Sequence, residues 1–396
     1  MIHIILKKST NLSLITILIF LTSSSCVYTR IRSTNYSYKK PLQFDNNLTT
    51  DNLQSVGIDT TKIIEITTLI LADSFPNIHS LLITKDNRLV YEQYFSGKDQ
   101  NWGWPLGYVN HDATTLHDTR SISKSVVSAC IGIAIEQKII QNIDDPIFNY
   151  LGNYSQYKTS QNGKITIRHL LTMSSGMQWD EDVPHGTSKN NETQMERSSD
   201  PVAYVLKQSV AFEPGSVWNY NSGGVQVLAA IIKNVSGMSI DQFAGKYLFL
   251  PLDINAYHWT KSKKDFPAAA SGLRLTSRDL LKFGMLYLND GKWNNRQILP
   301  EKWIDETLKI QIPRSSSELH GYSYLFWTNT ETVNGRSIEI ISAKGNGGQR
   351  IFLCKELNLD VVITAGNYNK KDIANNGEKI LIKYILPALF PLSVTR

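Results

Sequence analysis

The sequence predicts an α+β fold in which strands from both chain ends form one antiparallel sheet flanked by helices. Short apolar runs typical of strands occur near the two ends, at residues 80–84, 89–95, 337–343, 350–354 and 360–364. Between them, residues 146 to about 330 form mostly helical patterns joined by polar loops. If strands from the two chain ends pair in one sheet, the block between them has to lie outside that sheet. We therefore expect it to be a mostly helical inserted lobe.

Composition sets the class of protein but not its activity. The chain has 396 residues, of which 41% are hydrophobic and 19% are charged, as in an ordinary globular enzyme of one large or two smaller domains. A net charge of +6, spread evenly, is too small to indicate a nucleic-acid partner. The 3 cysteines are too few for a disulfide framework, and we expect Cys130 and Cys354 to be buried free thiols.

The first 26 residues have the pattern of a lipoprotein-type signal peptide. Lys7 and Lys8 precede an apolar run at residues 12–21, and three serines lead to Cys26. We therefore expect export to the cell envelope or periplasm, with a lipid on Cys26 as the only membrane contact. Ordinary secretion and a retained amino-terminal anchor remain alternatives. Residues 27–50, rich in small polar residues, tyrosine and lysine, fit a flexible tether before a domain at 51–396.

The elements of that domain follow in order. Residues 80–84 and 89–95 flank the turn sequence at 85–88, which indicates a β-hairpin. Residues 97–118 are polar and aromatic, and we expect them to be a loop. From 121 to about 138 the pattern becomes apolar on most faces and rich in small residues, which predicts a buried central helix.

A serine and a lysine stand three residues apart at the start of this helix. Ser121 and Lys124 would share one helix face, so the amine could take the hydroxyl proton of an otherwise weak nucleophile. The helix start also favours developing negative charge. The spacing alone is weak evidence, because Ser37/Lys40 and Ser155/Lys158 repeat it in polar segments. The chain lacks the Gly-x-Ser-x-Gly, His-Glu-x-x-His, phosphate-loop and Cys-x-x-Cys motifs of other enzyme classes.

Two further segments could complete a site. Residues 212–224 place Tyr220 in a turn just before a helical run, where the phenol could face a cleft or simply pack. Residues 344–350, KGNGGQR, lie between two strands. Their glycines could let a ligand approach backbone N–H groups, or could form a plain bulge or hairpin.

These three elements, in this order, resemble the penicillin-recognising serine hydrolases. That group includes class C β-lactamases, D-alanyl carboxypeptidases, related esterases and 6-aminohexanoate-dimer (nylon-oligomer) hydrolases. The resemblance runs from about residue 79 to 390 and includes the segments at 165–176 and 271–280. The Trp-Asp-Glu run at 179–181 and the Gly-Asn-Gly-Gly-Gln form of the third motif are most similar to the nylon-oligomer branch. The resemblance implies a β-lactamase/transpeptidase-like fold.

The resemblance also implies residue roles. Ser121 would be the nucleophile, Lys124 its base, and Tyr220 the acid/base that serves the leaving group and then water. The N–H of Ser121 and one from the glycine loop would form the oxyanion hole. The implied substrate-binding positions besides Ser121 are Ser222, Gly345, Asn346, Gly347 and Gly348.

Two departures from the family pattern argue against efficient β-lactam turnover. The Tyr-x-Asn triplet is Tyr220-Asn221-Ser222 here, so a hydroxyl replaces the amide that would contact a substrate carbonyl. The Lys-Thr-Gly motif is replaced by Gly345-Asn346-Gly347, with Lys344 one place early. The cationic anchor for a substrate carboxylate is therefore missing or shifted.

We accordingly expect a serine hydrolase that cleaves ester or amide bonds of small substrates through a Ser121 acyl-enzyme, without cofactor or metal. A D-alanyl carboxypeptidase or class C β-lactamase is one alternative, and a non-catalytic binding or sensor protein that keeps the fold is another. Asp180, Glu181, Asp182 and His185 are expected to lie in a solvated loop. That loop could form a rim of the cleft, where its acids would favour cationic substrates.

Overall fold

A computed structural model describes residues 36–44, 48–262, 265–314, 320–373 and 375–390, all within one unit of the chain. The predicted signal peptide at 1–26, its lipidation site Cys26, and part of the predicted tether lie outside the described residues. Within these ranges no single helix has the length and apolar composition needed to cross a membrane. The helices Ser222–Ser236 and Ile240–Leu252 meet that criterion only as a pair, bent by 71°.

The described helices lie between both sets of strands and at the two ends of the domain. They are α1 Thr60–Leu71, α2 Ile122–Glu136, α3 Ile167–Leu171, α4 Asn191–Arg197, α5 Pro201–Leu206, α6 Ser222–Ser236, α7 Ile240–Ala244, α8 Ser277–Leu288, α9 Glu301–Thr307, α10 Asn376–Ile380 and α11 Leu386–Leu389. Two π-helical turns, Gly245–Phe249 and Leu381–Ile385, follow α7 and α10.

The described strands form one large sheet and three small ones. They are β1 Ile78–Lys85, β2 Arg88–Tyr94, β3 Gly97–Asn101, β4 Trp104–Val109, β5 His117–Asp118, β6 His258–Trp259, β7 Leu273–Leu275, β8 Lys292–Trp293, β9 Arg296–Gln297, β10 Ile312–Pro313, β11 His320–Tyr322, β12 Trp327–Val333, β13 Arg336–Gly345, β14 Gln349–Cys354 and β15 Leu359–Ala365.

The large sheet joins the two ends of the chain, as the strand patterns predict. Its eight strands have the order β10-β11-β12-β13-β14-β15-β1-β2, and every pair is antiparallel. The contact that joins the two chain ends pairs β1 with β15, with Ile83 opposite Val361. The fold is therefore the predicted β-lactamase/transpeptidase-like α+β arrangement, with a large antiparallel sheet and flanking helices.

Side chains alternate between two hydrophobic cores on the two sheet faces. In β1, Leu82 joins the core formed with α2, α6 and the helical lobe, whereas Leu81 and Ile83 join the core under α1, α10 and α11. Since successive strand residues point to opposite faces, each central strand contributes to both cores. β1, β14 and β15 are accordingly buried along almost their whole length.

Local predictions near the amino end are partly confirmed. The β1–β2 hairpin has the predicted turn, in which Asp86 and Asn87 take positive φ values of 52° and 60°. The expectation of a loop at 97–118 is wrong, because β3 and β4 form a second hairpin there and β5 pairs with β7. Most of β4 is solvent-exposed, so its sequence carries no apolar alternation that would have revealed a strand.

The predicted central helix is α2. Every residue from Ile122 to Ala134 is buried, which accounts for its small and apolar composition. Cys130 lies within this helix and Cys354 ends β14, and both are buried free thiols as expected. The start of α2 carries Ser121, the candidate nucleophile. Because α2 packs in one core with the sheet and the helical lobe, the candidate site lies where these two parts meet.

Candidate active site

Ser121 and Lys124 meet at the amino end of α2. Ser121 directly precedes the first helical residue, and the Nζ atom of Lys124 donates a hydrogen bond of 2.9 Å to Ser121 Oγ. Lys124 is only 1% exposed, and its amine also donates to the carbonyl oxygen of Ala270 at 3.0 Å. One helical turn brings the hydroxyl and the amine together, as predicted from their spacing. The two decoy pairs, Ser37/Lys40 and Ser155/Lys158, are exposed.

The residue before Ser121 has a strained backbone. Arg120 has a φ of 50°, which residues with side chains rarely adopt. Its guanidinium pairs with Asp118 at 3.2 Å, and Asp118 also accepts a hydrogen bond of 2.7 Å from the backbone N–H of Trp102. The surrounding contacts therefore fix an otherwise unfavourable turn that presents Ser121 at the helix start, as is common at functional sites.

Tyr220 approaches the same pair from the start of α6. Asn221 caps that helix, because its Oδ1 atom accepts a hydrogen bond of 3.0 Å from Gly224 N–H. Lys124 Nζ lies 5.0 Å from the centre of the Tyr220 ring, and the ring stacks on Trp327 at a centroid distance of 5.8 Å. Burial raises the pKa of Tyr220 well above 10, against a smaller opposing effect of the neighbouring Ser121 hydroxyl. The phenol is therefore neutral at physiological pH.

The glycine loop lies beside the segment that leads to Ser121. It connects β13 to β14, and Gly347 and Gly348 take φ values of 97° and 100°, in the left-handed region. A Cβ atom on Gly345 would lie 2.3 Å from the carbonyl oxygen of Thr119, so only glycine permits this close approach. Asn346 is fixed by a hydrogen bond of 2.7 Å from its Nδ2 to Asn369 Oδ1.

One polar cleft of about 510 Å³ contains both Ser121 and Asn346. Its other lining residues include two acids and two arginines, namely Glu192, Glu196, Arg120 and Arg197. Burial, together with the nearby Glu192 carboxylate, raises the pKa of Glu196 to about 8. The structure thus brings the predicted nucleophile and part of the predicted glycine loop to one cavity.

Glu181 is the functional candidate that sequence reasoning missed. Instead of lying in solvent, its carboxylate accepts hydrogen bonds from Trp179 Nε1 at 2.6 Å, Ser222 N at 3.0 Å and Ser222 Oγ at 2.8 Å. Burial and the Glu192 carboxylate raise the pKa of Glu181 to about 7, and nearby Lys124 opposes that shift. Glu181 therefore joins the acidic loop to α6 beside Tyr220. The Trp-Asp-Glu run was its only signal in the sequence.

The remaining acidic-loop residues follow the expectation of a solvated segment. Asp180, Asp182 and His185 are exposed, and His185 also lines the cleft. Ser222, predicted to bind substrate, is fully buried with its hydroxyl donating to Glu181. In the structure Ser222 therefore attaches the start of α6 to the acidic loop through Glu181.

Lys344 is directed to another partner. Its Nζ atom lies 3.0 Å from a carboxylate oxygen of Glu378, which also pairs with Arg350 at 2.9 Å. Burial lowers the pKa of Lys344, while Glu378 opposes that shift. This ion pair explains how the shifted lysine is accommodated, and it occupies the amine that the family pattern would assign to a substrate carboxylate.

Comparisons with known proteins show a family match over most of the chain. Residues 79–382 match the family model described as Beta-lactamase. An uncharacterised protein of Alkalihalophilus pseudofirmus is 24% identical over 281 residues, covering 65% of this chain and 72% of that protein. Penicillin-binding protein 4* of Bacillus subtilis is 26% identical over 187 residues, covering 44% of this chain. The matched segment spans only 36% of that relative.

A solved structure shows the same fold. A Bacillus anthracis protein assigned as a 6-aminohexanoate-dimer hydrolase superimposes with a TM-score of 0.66, covering 88% of this chain and 87% of its own. The two sequences are 18% identical, so this likeness concerns the fold alone.

Proposed function

The chain belongs to the Beta-lactamase family, and on that premise we propose that it hydrolyses ester or amide bonds of small substrates through an acyl-enzyme on Ser121. The observation that carries this proposal is the hydrogen bond of 2.9 Å between a buried lysine amine and the Ser121 hydroxyl, with the Tyr220 ring directly above that amine. A serine is a weak nucleophile unless a base of this kind is in reach.

Acylation requires the unprotonated form of Lys124, whose amine accepts the proton of Ser121 Oγ; the serine oxygen then attacks the substrate carbonyl carbon. The carbonyl oxygen becomes an oxyanion, stabilised by the N–H of Ser121 and one N–H of the Gly347–Gly348 segment. Such fixed donors typically contribute about 3–4 kcal/mol each. The left-handed glycines support this role, because they allow the loop backbone to face the substrate.

Collapse of the tetrahedral intermediate requires a proton on the leaving group. The Tyr220 phenol supplies it, and its raised pKa supports this role because the neutral phenol still holds its proton. Lys124, which carries the serine proton, restores the phenol. Lys124 then accepts a proton from water, relayed through the Tyr220 hydroxyl, while the water oxygen attacks the acyl-enzyme carbonyl. Collapse of this second intermediate returns that proton to Ser121 Oγ and releases the acid product and free Ser121.

The cleft supports small, polar substrates. Its volume of about 510 Å³ suits a compact ester or short amide, and its lining mixes carboxylates with guanidinium groups. The pairing of Lys344 with Glu378 disfavours substrates that depend on a carboxylate anchor at that position. One observation favours the second candidate, a D-alanyl carboxypeptidase or β-lactamase. Arg197 lines the cleft, where it offers a cationic group for a substrate carboxylate.

Turnover of a substrate panel tests the proposal. The purified chain is assayed on aryl esters, alkyl esters, short amides, a D-alanyl-D-alanine peptide and a chromogenic β-lactam, beside Ser121→Ala. The decoy variants Ser37→Ala and Ser155→Ala serve as matched controls, since both serines have the same spacing to a lysine but are exposed.

We expect ester or amide hydrolysis that disappears in Ser121→Ala and persists in both decoy variants. Preferential turnover of the peptide or β-lactam would replace the proposed substrate class by the second candidate. Loss of activity in a folded decoy variant would contradict the choice of serine. Absence of turnover and acylation in the folded wild type would favour the non-catalytic alternative.

The amino-terminal segment supports a location in the cell envelope, with Cys26 carrying lipid. Expression of the full chain with Cys26→Ser, followed by membrane fractionation, tests this part of the proposal. Membrane association should be lost in the variant, and equal association of both proteins would contradict lipidation as the anchor.

A further inference from the structure

Three histidines and an aspartate converge outside the catalytic residues. One ligand-type atom from each of His79, Asp99, His111 and His117 lies within 4.8 Å of the others. They come from β1, β3, the segment after β4, and β5. His79, Asp99 and His117 are buried, whereas His111 is half-buried. Four separate stretches of chain therefore direct nitrogen and oxygen atoms to one point.

The hydrogen bonding of His117 indicates which of its atoms faces that point. Its Nδ1 atom lies 3.1 Å from the carbonyl oxygen of Asp118, which can only accept, so Nδ1 carries the proton. Its Nε2 atom then carries a lone pair, which accepts a hydrogen bond of 2.8 Å from His79 Nδ1 and lies 3.6 Å from Asp99 Oδ1; metal binding would replace that hydrogen bond by coordination. A histidine whose outer nitrogen donates to a carbonyl has the tautomer and orientation of a metal ligand.

The cluster contains polar atoms that the protein leaves unsatisfied. Asp99 Oδ2 and His111 Nε2 are inaccessible to solvent and have no hydrogen-bond partner among the described residues. A buried acceptor without a partner costs about 1–3 kcal/mol, and native proteins rarely retain several at one place. A cation bound between these atoms would satisfy both.

We propose that His79, Asp99, His111 and His117 bind a divalent transition-metal ion of the Zn²⁺ type. Three imidazoles and one carboxylate suit Zn²⁺ better than Ca²⁺ or Mg²⁺, which prefer oxygen ligands. At Zn–ligand distances of about 2.0–2.2 Å, tetrahedral ligand atoms lie about 3.3–3.6 Å apart. Ligand atoms spaced up to 4.8 Å apart would have to approach by about 1.5 Å or less, and the 2.8 Å pair His79 and His117 would have to separate by about 0.5 Å. Four protein ligands complete the ion's coordination, so the site is structural.

The protonation state of the cluster is compatible with this assignment. Burial and the neighbouring imidazoles lower the pKa of His79 to about 2 and of His111 to about 4. Neutral imidazole is the form that ligates a metal. Neutral imidazoles at the cluster thus agree with its geometry and with its unsatisfied polar atoms, on which the proposed metal site rests.

The position of the cluster gives the ion a purpose in the fold. His117 lies four residues before Ser121, and Asp99 Oδ1 accepts a hydrogen bond of 3.1 Å from the Tyr368 hydroxyl. A Cβ atom on Gly347 would lie 2.6 Å from the Tyr368 ring, which shows how closely that ring supports the glycine loop. A bound ion would thus link the β3–β4 hairpin to His117 in the segment before Ser121. Through Asp99 it would also be linked to Tyr368, whose ring lies against the glycine loop.

Metal content and thermal unfolding of the purified full chain test this proposal. The protein is stripped with a chelator, incubated with Zn²⁺, freed of excess ion and analysed by elemental mass spectrometry. Binding of Co²⁺ is followed by the visible absorption of tetrahedral cobalt. His111→Ala and Asp99→Asn remove ligands, and His258→Ala, a change at an exposed histidine of β6, is the matched control.

We expect one equivalent of Zn²⁺, a higher Tm with the ion than after chelation, and a tetrahedral Co²⁺ spectrum. His111→Ala should weaken binding by more than about 100-fold, since even outer partners of a metal site are worth about 10–100-fold. His258→Ala should bind as the wild type does. If His111→Ala fails to fold, Asp99→Asn, which keeps the side-chain shape, decides by the same measurement. Wild-type protein without stoichiometric metal or a Tm shift would overturn the proposal, as would equal losses in His258→Ala.

Discussion

Replacement of Tyr220 by phenylalanine isolates the proposed acid. The substitution keeps the ring that stacks on Trp327 at 5.8 Å and packs near Trp218 at 6.3 Å. It removes only the phenolic hydroxyl beside Ser121. Loss of one hydrogen bond costs about 0.5–1.5 kcal/mol, so the free energy of unfolding should fall by no more than that amount.

The effect on catalysis should be much larger and should depend on the leaving group. A positioned acid contributes about 10²–10⁴-fold, or about 3–5 kcal/mol of barrier. An alkyl alcohol or amine needs the proton to depart, whereas a nitrophenolate departs without it. Tyr220→Phe should therefore reduce kcat/KM by about 10²–10⁴-fold for alkyl esters or amides, and much less for a nitrophenyl ester with the same acyl group.

The assay compares these substrates in wild type, Tyr220→Phe and Tyr287→Phe. Tyr287 is a suitable control because its ring is buried and its hydroxyl has no hydrogen-bond partner within the described ranges. Equal losses for both leaving groups in Tyr220→Phe would refute the acid role and indicate a general disturbance of the site. Unchanged hydrolysis of the alkyl ester would refute it as well.

Two further predictions concern buried carboxylates. Glu181→Ala should lower the free energy of unfolding by about 2–6 kcal/mol, because Ser222 N–H and Trp179 Nε1–H lose their acceptor. Glu181→Gln should stay within about 1 kcal/mol, since its amide can meet all three partners; urea unfolding showing equal losses would contradict this. Asp360 has two buried oxygens without partners among the described residues, and burial raises its pKa. The folded state therefore holds a proton that the unfolded chain releases above its usual carboxyl pKa. Wild-type stability should thus fall relative to Asp360→Asn by up to about 1.4 kcal/mol per pH unit until the folded pKa is reached. Parallel stability–pH curves of the wild type and Asp360→Asn would refute a raised pKa of Asp360 in the folded state.

The parts of the fold that depend on local patterns could be predicted from sequence. The central strands and α2 show strong periodic or continuous apolar patterns. Asp86 and Asn87 are residue types that tolerate the positive φ values of their turn. The β3–β4 hairpin could not be predicted, because Trp104 to Val109 face solvent and no buried face imposes a pattern. Exposed strands are therefore the elements that periodicity misses.

The candidate site divides in the same way. Contact between Ser121 and Lys124 follows from one helical turn, so their spacing alone predicts it. Tyr220 and the glycine loop come from distant parts of the chain, and only the family resemblance associated them with Ser121. Glu181 was predicted to be solvated because local composition does not show that Trp179 and Ser222 will surround it. The histidine cluster was equally hidden, since its spacing fits no ligand motif and depends on the missed hairpin.

Labelling with a fluorophosphonate tests most directly whether Ser121 is an activated nucleophile. Intact mass is measured for the wild type and for Ser121→Ala after reaction, with peptide mapping of the adduct. We expect a single adduct on Ser121 of the wild type and none on the variant. An adduct on another serine, or equal labelling of both proteins, would contradict it.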